Sequence, residues 1–184
     1  MAWARMSRQV WKAAGPAQIG QLAHRAVADL MRANRQAQTL SWSDVLGAVD
    51  DRMRLDGYRD RAARQSIAAA VMGYLTVAPL APWVFVRAEV PLPGVRLDLL
   101  WWHPPTSSVM VDEVKTGQSG VQLATTRDQV ERYLRALTAC GLAAETICVR
   151  AVSTRAPHTS WTLHAHGTDP RPTAGRGQRG PPPR

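Results

Sequence analysis

Two stretches of alternating polarity separated by a proline pair, VRLDLLWWH (Val95–His103) and SVMVDEVK (Ser108–Lys115), constrain this chain more than any other feature. Side chains along a strand alternate between its faces with a period of two. Arg96, Asp98 and Leu100 therefore share one face of a first strand, and Val111, Glu113 and Lys115 one face of a second. The link from His103 to Ser108 carries Pro104 and Pro105 among polar residues and reads as a hairpin turn. A turn centred between Pro105 and Thr106 sets Asp98 opposite Glu113 and Arg96 opposite Lys115. Cross-strand Cβ atoms lie roughly 4.5–5.5 Å apart, so the two carboxylates would repel each other unless a cation sits between them. A divalent metal ion shared by the pair is the simplest such cation.

Other patterns stand in a fixed order around this hairpin. Pro16 is suited to a helix start, and Ile19, Leu22, Ala23, Ala26, Val27, Leu30 and Met31 follow at helical spacing, with Gly20-x-x-x-His24-Arg25 on the same helix. Lys115 is followed by Thr116 and Gly117, and a later predicted helix, beginning at Thr125 and Thr126, carries Gln129-x-x-x-Tyr133. The succession GxxxHR, Asp98, Glu113-Val114-Lys115-Thr116-Gly117, Gln129-x-x-x-Tyr133 resembles the PD-(D/E)XK nuclease superfamily, in its RecB-like branch. The proline that usually precedes the first Asp is absent, and Leu97 stands there.

The resemblance implies an α/β fold with a restriction-endonuclease-like αβββαβ core, a mixed central sheet flanked by helices and extra helices at the N-terminus. It implies a metal-dependent deoxyribonuclease that hydrolyses phosphodiester bonds from an end or internally, with Asp98, Glu113 and Lys115 catalytic. Mg²⁺ or Mn²⁺ would be held by Asp98, Glu113, the backbone carbonyl of Val114 and His24. Gln129 and Tyr133 would position the substrate strand, and Arg127, Arg132 and Arg135 would contact its phosphates. Read from the residues alone, His24 is equally a half-exposed residue at the rim of an apolar stripe, Gln129 closes a capping box with Thr126, and Tyr133 is core. Glu89, on the strand expected over Trp83–Val90, has two readings, a place near the acidic pair on a neighbouring strand or one facing solvent, and the second is preferred.

Composition bounds the rest. With 184 residues the chain suits one domain, with a helical part over about 1–76, a sheet part over about 83–166, and a tail from 167 to 184 of Pro, Gly and Arg expected to be disordered. No apolar run approaches the roughly 20 residues of a membrane span, and MAWARMSRQVWKAAG lacks the apolar centre of a secretion signal, which predicts a cytoplasmic protein without a membrane partner. Cys140 and Cys148 are too few for an iron–sulfur cluster. A formal charge of +9 points to a polyanionic partner, most simply nucleic acid, and DNA in the resemblance's terms. Of 23 basic residues only Lys12 and Lys115 are lysine, so a compact ammonium has been kept beside Glu113 in a chain that otherwise uses arginine.

The N-terminal third reads as helices over 1–15, through Leu46, Val49 and Met53 behind a Ser41/Asp44 capping box, and from about Tyr58 to Leu75 with Ala62, Ile67, Ala70, Val71 and Tyr74 inward. The pair spanning 41–75 supports an alternative, a non-cleaving nucleic-acid-binding module of helix-turn-helix type. Thr146–Val152 reads as a strand buried on both faces, and Trp161–His166 as an edge strand. A homodimer or a partner protein would supply specificity that no second domain provides.

Overall fold

A computed structural model describes residues 11–34, 40–117, 123–142 and 144–166. Three helices, α1 (Pro16–Asn34), α2 (Trp42–Leu55) and α3 (Arg61–Leu75), precede three strands, β1 (Val84–Leu92), β2 (Val95–His103) and β3 (Ser108–Lys115). Helix α4 (Leu123–Ala139) then leads to β4 (Thr146–Ser153) and β5 (Trp161–His166). The sheet has the order β1-β2-β3-β4-β5 and is mixed, because only β3 and β4 run parallel. A parallel pair needs a long crossover, and α4 supplies it. The fold is thus α/β, with helices on both sides of one sheet.

Two apolar cores explain the layering. On one face Leu99, Trp101, Met110, Val114 and Val152 meet α1, α2 and α3 through Leu22, Met31, Val49, Ile67 and Val71. On the other face Val109, Val111, Ile147 and Val149 meet α4 through Val130, Tyr133 and Leu137. Strand β3 is buried along nearly its whole length, as a strand covered by helices on both faces should be. Helix α3 approaches the sheet so closely that a Cβ at Gly73 would lie 1.7 Å from the Thr154 carbonyl oxygen, which only glycine permits.

The hairpin register is the one its turn residues dictate. Leu99 pairs with Asp112, Leu100 with Val111 and His103 with Ser108, and continuing that register brings Asp98 opposite Glu113. The ladder ends at Leu99, however, and from there the backbone changes faces. Leu99 and Ala88 belong to the first core, whereas Leu97, two residues on, belongs to the second and Val90 packs against it. Glu89 sits at the crossing with φ +54, a conformation non-glycine residues rarely adopt.

Four boundaries differ from the sequence reading. Residues 11–15 are not helical; Lys12 forms a bridge with Tyr58, and residues 1–10 lie outside the described residues. Helix α3 starts at Arg61 rather than Tyr58 because the Asp60 carboxylate accepts hydrogen bonds from the Ala62 and Ala63 N–H groups, and Ala63 rather than Ala62 faces inward. Strand β1 runs on to Leu92 despite Pro91, which an edge strand tolerates. Helix α4 begins at Leu123, so Thr126 is inside it and does not cap it. The Ser41/Asp44 capping box of α2 and the strand over Trp161–His166 are as expected. The tail from 167 lies outside the described residues.

Candidate metal centre

Where β1 and β2 change faces, four side chains from four elements meet. Asp98 has left the ladder, and its Oδ2 accepts the Val114 backbone N–H at 2.9 Å, which holds the carboxylate against β3. His24, projecting from α1, brings Nδ1 to 3.6 Å from the same oxygen. Glu89 completes a set in which one donor atom each from His24, Glu89 and Asp98 lies within 4.8 Å of the others. The preference for a solvent-facing Glu89 is therefore corrected in favour of its other reading, a place beside Asp98. Its positive φ turns the side chain back toward β2, and strict alternation along β1 would not have revealed this.

Glu113 is the third acid and the most buried. Its Oε1 accepts from Lys115 Nζ at 2.5 Å, while its Oε2 is buried with no hydrogen-bond partner among the described residues. A buried carboxylate oxygen without a donor is costly unless something cationic meets it. Lys115 also donates to Gln129 Oε1 at 2.9 Å. Gln129 Nε2 donates to the Tyr133 hydroxyl at 2.9 Å, and that hydroxyl donates to the Arg96 carbonyl oxygen at 2.8 Å. The Arg96 side chain returns to Glu89 Oε2 at 2.8 Å. One polar chain thus links the lysine on β3, through α4, to the edge hairpin that carries the other acids.

The electrostatics follow from crowding these groups away from water. Burial, then the neighbouring Glu113 charge, pushes the Asp98 carboxyl well above the usual range, and the Val114 N–H only partly opposes this. Burial lowers the His24 imidazole, against the pull of Glu113 and a hydrogen bond to the Val114 backbone, so the ring favours its neutral, metal-ligating form. Burial and the Glu113 charge also push the Tyr133 hydroxyl upward, leaving it a neutral donor.

These residues fit a divalent cation: carboxylates and a neutral imidazole converge, and one buried oxygen lacks a partner. Of the residues singled out in the sequence, His24, Asp98 and the Val114 backbone come together, and Glu113 and Lys115 stand beside them. Gln129 reaches the group through Lys115. Tyr133 is buried in the second core and its hydroxyl is engaged within the protein, so it holds Gln129 rather than presenting itself to a ligand. Arg127 and Arg132 lie exposed on α4, Arg127 paired with Glu131 at 3.0 Å, and Arg135 reaches the same acid at 3.9 Å.

A second buried polar cluster lies on the opposite face of β3. Asp112 accepts from Arg150 Nε at 2.6 Å and from the Tyr74 hydroxyl at 2.8 Å, while Arg150 also donates to the Val77 carbonyl. Both carboxylate oxygens of Asp112 are bonded there, unlike those of Glu113. Sequence reasoning passed over this cluster, although one acid in β3 and one base in β4, each among apolar neighbours, were its signal. Comparison of the chain with protein-family models, with curated proteins and with solved structures finds no match.

Proposed function

We propose that the chain is a divalent-metal-dependent nuclease that hydrolyses phosphodiester bonds in DNA. The observation that carries this reading is the Glu113 carboxylate, bonded to Lys115 through one oxygen and buried without a partner at the other, beside His24, Asp98 and Glu89. The order of elements, three strands, a crossover helix and a strand parallel to the third, supports the αβββαβ core that the resemblance implies.

His24, Asp98, Glu89 and Glu113 are the residues that would hold Mg²⁺ or Mn²⁺. Bound there, the ion supplies Lewis acidity, neutralising charge on the scissile phosphate and making water acidic enough to attack it. The Val114 N–H keeps Asp98 turned toward His24. Lys115, held between Glu113 and Gln129, offers an ammonium to the negative charge that grows on the phosphate and orients the attacking water. Tyr133 anchors Gln129 and so fixes the lysine from behind. Arg127 and Arg132, exposed on the same helix, attract phosphates without choosing a sequence.

Incubating the protein with linear, circular and single-stranded DNA in Mg²⁺ or Mn²⁺ tests the reading. Cleavage should require the ion and vanish in Asp98→Ala and Lys115→Ala, with both variants still folded. Activity that persists in both would remove this site from consideration.

A further inference from the structure

Away from the acidic cluster, a surface cavity of about 350 Å³ opens where the chain segment before α1 meets the turn between α2 and α3. Trp11 and Tyr58 wall it, and Arg54, Arg59, Arg61 and Arg64 line it. Its shape is built by the backbone. Lys12 N–H donates to the Gly57 carbonyl at 3.0 Å and Arg59 N–H to the Lys12 carbonyl, so the segments that carry Trp11 and Tyr58 are tied together. Gly57, with φ +79, makes the turn that allows it.

The charges in the cavity are not all spent. Asp50 is bound by Arg64 at 2.7 Å, Asp60 accepts the first N–H groups of α3, and Arg54 pairs with Asp51. Arg59 and Arg61 are exposed and make no ion pair among the described residues. Two aromatic side chains beside two guanidinium groups without ion pairs are the combination that binds a base by stacking and its phosphate by charge. Arg25, next to His24 in sequence, donates to Asp56 Oδ2 at 2.9 Å, in the turn between α2 and α3 that also carries Tyr58.

We propose that this cavity holds one nucleotide of a single-stranded nucleic acid, its base against Trp11 and Tyr58 and its phosphate on Arg59 and Arg61. This rests on the nuclease reading and narrows its substrate to strands with unpaired bases, because a base within a duplex cannot lie flat on an indole.

Two measurements made side by side separate the cavity from the reaction site. The first is anisotropy of a labelled fifteen-residue oligothymidylate (a length of about one single-strand binding site) in Ca²⁺. The second is hydrolysis of bis(p-nitrophenyl) phosphate, too small to span both places, in Mn²⁺. Arg59→Ala with Arg61→Ala should weaken strand binding at least tenfold and reduce the log–log salt slope by roughly 0.7, the share of the one phosphate that the two arginines hold together. Trp11→Ala should weaken it between about fivefold and a hundredfold while Trp11→Phe, which still stacks, restores most of it. Turnover of the small diester should not change in any of them. Unchanged strand affinity and salt slope in these variants would overturn the cavity proposal even if cleavage is established. A wild-type protein that binds the strand through these residues yet cleaves neither the strand nor the diester in Mn²⁺ would instead remove the nuclease reading and leave the cavity as a binding site. Equal affinity for duplex and single strand, indifferent to Trp11→Ala, would overturn the stacking role.

Discussion

Gly20 on α1 lies against Thr116 at the end of β3, and a Cβ added at Gly20 would come within 2.8 Å of Thr116 Oγ1. The contact joins the first and third motifs of the resemblance and sets how near α1 can carry His24 to Asp98. Because a helical glycine costs about 1 kcal/mol relative to alanine, Gly20→Ala in an open position would stabilise the protein by that amount. Here the clash with Thr116 should cancel the gain. In a Thr116→Ala background it should reappear, a coupling measurable by urea denaturation of the four proteins. Equal stabilisation in both backgrounds would mean that the helix does not rest on Thr116.

Asp98 should weaken the metal-free fold as pH rises. Its folded-state pKa lies above its ordinary value, so the native protein binds its proton more tightly than the unfolded chain. Stability from this group is then full below about pH 4 and falls as pH climbs through the raised native value. Asp98→Asn removes the penalty, and without divalent ions its melting temperature at pH 8 should exceed that of the wild type. Adding Mn²⁺ should reverse the order. The wild type gains about 2.7 kcal/mol at a hundred times the dissociation constant, whereas the variant gains little. Thermal melts with and without the ion read both effects, and a variant that melts below the metal-free wild type would contradict the first.

What the sequence made legible is what depends on local period and turn chemistry. The Pro104–Pro105 turn and alternating residues were enough to align Asp98 with Glu113, and the ladder from Leu99 to His103 follows that alignment. Helix α2 announced itself by Ser41 and Asp44. The choice between the two readings of Glu89 was not legible, because a backbone switch to positive φ in mid-strand breaks the period-two rule without any glycine to mark it. The start of α4 was misjudged because Thr125 and Thr126 favour caps, whereas the helix begins at Leu123 and holds both threonines inside it. The Asp112–Arg150 pair depends on two strands lying parallel and in register, a relation between distant segments that neither segment carries alone.

That buried pair gives a prediction about stability. Arg150→Met leaves the fully buried Asp112 carboxylate with only the Tyr74 hydroxyl, and removing one partner of a buried ion pair costs about 3–5 kcal/mol. Adding Asp112→Asn removes the stranded charge while retaining an acceptor for Tyr74. The double variant should therefore be more stable than Arg150→Met alone, a non-additivity visible as a higher urea midpoint. A double variant that is less stable by the sum of both changes would show that the two residues do not act as a pair.

The role of Gln129 separates two accounts of the centre. The resemblance makes it a contact to the substrate strand, whereas its amide oxygen here accepts from Lys115 and its nitrogen is engaged by Tyr133. A residue that only holds the lysine should affect the reaction and not binding. In Gln129→Ala, kcat should fall roughly ten- to a hundredfold, equivalent to about 1.4–2.7 kcal/mol of transition-state stabilisation, with KM within about twofold of the wild type. Tyr133→Phe removes the bond to the Arg96 carbonyl and should produce a smaller loss of the same kind. Gln129→Glu, which still offers Lys115 an acceptor, should recover part of kcat, a rescue that a purely structural defect would not give. A rise in KM at unchanged kcat would return Gln129 to the substrate strand and leave Lys115 positioned by Glu113 alone.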